Sequence, residues 1–64
     1  MENKLLMKWE DIKEQFEQGQ QEFIEHSIFM AKETKTPQEV SLKLGNLILL
    51  KLGIFPSGLI YKIE

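Results

Sequence analysis

The stretch "VSLKLGNLILLKLGI", Val40 to Ile54, can be read in two ways, and they give different proteins. Val40, Leu42, Leu44, Ile48, Leu50, Leu52 and Ile54 fall on even positions, while Ser41, Lys43, Gly45, Lys51 and Gly53 fall on odd ones. A period of two is strand periodicity, and Gly45-Asn46 could close a two-residue hairpin. The residues just before argue the other way. Thr36, Pro37 and Glu39 make a capping box with proline at the first helical position. Leucine is a strong helix former and lacks the β-branching that strands favour. The expectation is therefore a helix over about 37–52, with a strand meander as the alternative.

Downstream, Gly53 can take a left-handed cap conformation and Pro56 follows three residues later, so the helix should stop there. "IF", the turn "PSG" and "LIYKI" then read as a small β element over about 54–63. Such an element cannot stand alone and must lie on the helices or pair with another chain.

Upstream, Leu5, Trp9, Ile12 and Phe16 recur at spacings of four, three and four, one stripe of an amphipathic helix over about 4–18. The stripe continues in phase through Gly19, Phe23, His26 and Met30, predicting a second helical segment over about 20–33. Gly19 marks either a bend or a close approach of backbones inside one long helix. Ile24, Ile28 and Ala31 widen the apolar face. On this pattern Phe23 belongs to the core, whereas Phe29 lies off the stripe at the surface. The fold expected is mainly α: two or three amphipathic helices and a short C-terminal β-hairpin or strand. The alternative is an N-terminal helical segment followed by a three-stranded β-meander.

Sixty-four residues form a single small domain, 1–64. A chain this short buries about 60% of its unfolded surface and commonly needs a disulfide, a metal or a partner. There is no cysteine and only one histidine, His26. That leaves association as the helper and predicts a homo-oligomer. Absence of cysteine suits a reducing cytoplasm.

Charge is unevenly spread. Residues 1–34 hold four lysines against eight acids, a balance of −4; residues 35–64 hold four lysines against two acids, a balance of +2. All the basic residues are lysine. An acidic half without arginine argues against a nucleic-acid surface. The Lys-, Glu- and Ile-rich, arginine-free usage points to a bacterial or phage origin. The opening turns acidic before any apolar leader could form. The most apolar window, Leu44 to Ile63, carries Lys51 near its middle, so no membrane span is expected.

Little chemistry is on offer. Glu22 and His26 share a helix face, but two ligands do not make a metal site. Ser27, Ser41 and Ser57 have no second histidine to serve as base and no nucleophile-elbow context. No enzyme activity, cofactor or metal is expected. "LLKLGIFPSGLIYKIE", Leu49 to Glu64, resembles the second half of a helix-turn-helix, and "TPQEVSLKLG", Thr36 to Gly45, resembles its first helix. The resemblance implies a dimeric DNA-binding regulator in which Ser57 and Lys62 reach bases or phosphates. A membrane-active small protein is a third alternative.

The function expected is that of a small regulator, inhibitor or adaptor acting by protein–protein contact. Its candidate contact surface is the first helix. There Leu5, Trp9, Ile12 and Phe16 would enter an apolar groove, and Glu10, Glu14 and Glu17 would meet a basic rim on the partner.

Overall fold

The computed structural model describes residues 3–44 and 48–63, with the side chains of 6–43 and 49–63. It is not mainly helical. Strand β1 (Asn3–Lys8) leads into a one-turn helix α1 (Trp9–Ile12) and a 3-10 turn (Lys13–Gln15). The main helix α2 (Gln18–Thr34) follows, then strands β2 (Gln38–Leu44), β3 (Ile48–Ile54) and β4 (Leu59–Ile63). The four strands form one antiparallel sheet in the order β1-β4-β3-β2.

The stretch that opened the sequence question is therefore a pair of strands, and β2–β3–β4 is the meander of the alternative reading. Val40 stands opposite Leu52, and Leu42 opposite Leu50. Val40, Leu42, Leu50, Leu52 and Ile54 thus share one face in the core; Leu42, Leu52 and Ile54 are buried. A helix would have scattered them around its axis. The two-residue hairpin turn at Gly45-Asn46 lies outside the described residues.

The capping box at Thr36 does not cap a helix. The Thr36 hydroxyl meets the Thr34 hydroxyl at 2.9 Å, and Pro37 precedes a strand. Proline is tolerated at a strand's start because its missing N–H falls outside the ladder. The helix-turn-helix resemblance is corrected with it: its supposed helices are β2, β3 and β4. The hairpin read after Gly53 is present, with Phe55–Gly58 as the turn. There the Gly58 N–H donates to the Phe55 carbonyl and the Phe55 N–H to the Leu59 carbonyl, both at 2.9 Å.

The helix expected over 4–18 is also corrected. Residues 3–8 pair with β4, Leu6 opposite Tyr61 and Met7 opposite Ile60. Strand pairing with the far end of the chain overrides the local 3.6-residue spacing. Helical structure starts only at Trp9, and Phe16 and Glu17 are extended. The break thus falls two residues before Gly19, which sits in the first turn of α2. A Cβ at Gly19 would meet nothing within 4 Å, so no backbone approaches closely there.

Helix α2 buries Ile24, Ser27 and Ala31 on the sheet, with Ile28 half-buried beside them. The stripe through Phe23 and His26 faces outward instead; Phe23 is 47% exposed. The Ser27 hydroxyl bonds the Phe23 carbonyl at 3.1 Å, as a serine inside a helix must when buried. The helix ends on Lys35 in the left-handed region, φ 59°, its N–H on the Ala31 carbonyl at 2.8 Å. Ile24, Leu52, Ile54 and Ile60 are fully buried and centre the core. Each contributes about 1.5–3 kcal/mol by leaving water.

Candidate functional site

Alternation along each strand decides what the other side of the sheet carries. Met7, Val40, Leu42, Leu50, Leu52, Ile54 and Ile60 pack with the helices. Their neighbours turn the opposite way. The register lines up Leu6, Tyr61, Gly53 and Glu39 across all four strands, with Lys8 beside Leu59, Lys51 beside Ser41 and Lys43 beside Leu49. Among the described residues no element packs over this side. Leu6 is 59% exposed and Leu49 58%.

The centre of this open face is built around Gly53. A Cβ there would sit 2.6 Å from both Cε1 and the hydroxyl of Tyr61. The Tyr61 ring lies directly on the Gly53 backbone and also meets Phe55, with centroids 4.8 Å apart and planes 37° apart. Only 8% of Tyr61 remains exposed, so the ring is not a free platform for a stacking base. Phe55, Leu59 and Ile63 are half-buried around it.

The helical side differs in charge. Glu10, Asp11, Glu14, Glu17, Glu22, Glu25 and Glu33 are all exposed there. Lys32, exposed, and Lys13, half-buried, are the cations among the helical residues. With Lys35 at the end of α2 and Lys62, on the core-facing side of β4, the balance is seven against four, or −3. On the open sheet face Lys8, Lys43 and Lys51 stand against Glu39, or +2. Phe29, 55% exposed, lies one turn from Glu25 and one turn from Glu33, with Phe23 also exposed on α2.

The residues proposed from sequence as a contact stripe do not share a helix. Leu5 lies in β1, and its side chain is outside the described ones. Trp9 is buried and packs on buried Phe16, centroids 5.9 Å apart at 42°. The Trp9 indole N–H points at Glu25 Oε2 across 3.4 Å. Ile12 is half-buried against the same core. Gln21 fixes the loop between, donating to the carbonyls of Lys13 and Phe16 at 2.8 Å each. Glu10, Glu14 and Glu17 remain exposed on this side. The open face, with Leu6, Leu49, Lys43 and Lys51, was not singled out from sequence. Its signal was the odd-numbered half of the alternation in Val40–Ile54.

Hollows flank the core among the described residues. One, of about 370 Å³, is lined by Lys8, Trp9, Glu10, Lys32, Ser57 and Gly58, among others. That volume is in the range of ligand sites, larger than so short a chain suggests. Ser57 has no histidine there, because His26 is exposed on α2 and does not line the hollow. Another, of about 230 Å³, is largely apolar, between Met7, Ile12, Phe16, Leu50 and Leu52, with Lys62 in its lining. Among the described residues no group of three His, Cys, Asp or Glu converges as a metal site. Among them, too, no helix is long and apolar enough to cross a membrane. Comparison with protein-family models, with curated proteins and with solved structures finds no match for this chain.

Proposed function

We propose that this is a small protein-binding module, a regulator or adaptor that acts by contact in the cytoplasm, and that its contact surface is the open face of the sheet. One observation carries the proposal: among the described residues the sheet is covered on one side only, and the other side keeps Leu6 and Leu49 more than half exposed beside lysines. Exposed leucines at two places on a flat sheet, ringed by charge, match the apolar anchors and polar rim of protein interfaces. The absence of cysteine suits the compartment. The acids Glu10, Glu14 and Glu17 lie on the opposite, helical side and act as a second, charge-selective surface.

A photo-crosslinking side chain at position 49 tests this in cells, with the same group at exposed Thr36 as control. The expected result is a discrete protein adduct from position 49 and none from position 36. Equal labelling at both positions, or none at 49, would place the contact elsewhere.

A further inference from the structure

We infer that the occupant of the open sheet face is the acidic helical side of a second copy of this chain, so that copies stack front to back. The inference rests on the open face being a contact surface, and goes beyond it by naming what sits there.

Charge selects the pairing. The open sheet face carries +2 and the helical side −3 among described residues. Sheet against sheet would oppose Lys43 and Lys51 to their own copies. Helix against helix would do the same with Glu22, Glu25 and Glu33. Like charges set directly opposite in an interface are disfavoured, and only the mixed contact joins opposite signs.

Dimensions agree. Helix α2 has seventeen residues, about 25 Å at the usual rise. Strands β2 and β3 have seven each, about 23 Å. One helix therefore spans one sheet. Apolar anchors stand on both surfaces: Phe29 and Phe23 on the helix, Leu6 and Leu49 on the sheet. The molecule is 33 × 29 Å across and 18 Å thick, so its broad sides can supply the ~800 Å² per partner of a standard interface. In such a stack each sheet gains a helical layer on its bare side. The contact is heterologous: each copy uses a different surface from its neighbour, so assembly continues past two copies unless the rotation closes a ring.

Sedimentation tests this with charge-swapped proteins. One variant carries Lys43→Glu and Lys51→Glu; the other carries Glu22→Lys and Glu33→Lys, which leaves the Glu25–Trp9 contact intact. Circular dichroism checks that both are folded. The wild type is expected to grow in mass with concentration up to about 1 mM, beyond the mass of a dimer. Each variant alone is expected to associate at least tenfold more weakly. An equimolar mixture is expected to recover association, because the unaltered sheet face of the helix variant meets the unaltered helical side of the sheet variant. A wild type that stays at 7.5 kDa throughout would overturn the inference while leaving the sheet face open to a foreign protein, which the position-49 crosslink reads separately. Association lost in the sheet variant but unchanged in the helix variant would mean a sheet-to-sheet dimer and would equally overturn it.

Discussion

Replacing Gly53 with alanine is expected to destabilise the protein although the residue lies in a strand, where glycine is ordinarily a weakness. The new methyl would overlap the Tyr61 ring, and the backbone beneath cannot recede because Ile54 and Leu52 on either side are locked in the core. The ring must lift off the sheet. A tyrosine buries about 150–250 Å², so re-exposing roughly 100 Å² costs about 2.5 kcal/mol at 25 cal/mol per Å². Loss of the Phe55 contact adds about 0.5–1.5 kcal/mol. Against this, alanine restores about 0.5–1 kcal/mol of backbone entropy. The net is a loss of about 2–3.5 kcal/mol, or about 10–25 °C in Tm for a domain this small. Urea unfolding followed by fluorescence of the one tryptophan, buried Trp9, reads it directly. The decisive arm is a double-mutant cycle. With Tyr61→Ala already present there is no ring to displace, and Gly53→Ala should then be neutral or mildly stabilising. An equal loss in both backgrounds would refute the account, since the cost could not come from the ring.

Lys35→Gly is expected to stabilise by about 1 kcal/mol, because the left-handed cap strains any residue with a Cβ and suits glycine; thermal unfolding measures it, and a lower Tm would contradict the cap geometry. Trp9→Ala is expected to cost about 3–5 kcal/mol as a core truncation, seen as a large fall in the urea midpoint. Trp9→Phe should cost clearly less, since it keeps the packing on Phe16 and gives up the indole contact to Glu25.

Most of the meander was legible in the sequence and most of β1 was not. The even–odd pattern of Val40–Ile54 held the two faces of β2 and β3 and, through its odd positions, the lysines of the open face. What obscured it was a local signal with two meanings: Thr36, Pro37 and Glu39 suit a helix start, but a proline also suits the step into a strand. Gly53 was ambiguous in the same way. Before Pro56 it resembles a helix stop, and its actual role, making room for a ring from the neighbouring strand, depends on a residue eight positions later. The set Ile24, Ile28 and Ala31 was visible as part of an apolar face, yet the in-phase run through Trp9, Phe16 and Phe23 looked continuous and drew the core axis one residue off. β1 carries no internal period. Its partner is β4, and no local propensity announces a pairing across nearly the whole chain. The burial of Trp9 and Phe16 was hidden for the same reason, since they become core only once β1 has turned the chain into α1.

That pairing also sets an order of events. Joining β3 to β4 closes only the four residues 55–58, whereas joining β1 to β4 closes fifty, 9–58. Loop length alone makes the second step about 2 kcal/mol more costly in chain entropy. β1 therefore docks last, onto a helix–hairpin body already formed, and is the first element to leave when the protein opens locally. Its departure bares the outer edge of β4, a row of unpaired backbone donors and acceptors that any matching strand can fill. The best match in solution is the same segment of another molecule. Exchange of β1 between copies is the misassembly this topology invites, at concentrations where the tether through residues 9–17 no longer outcompetes a neighbour.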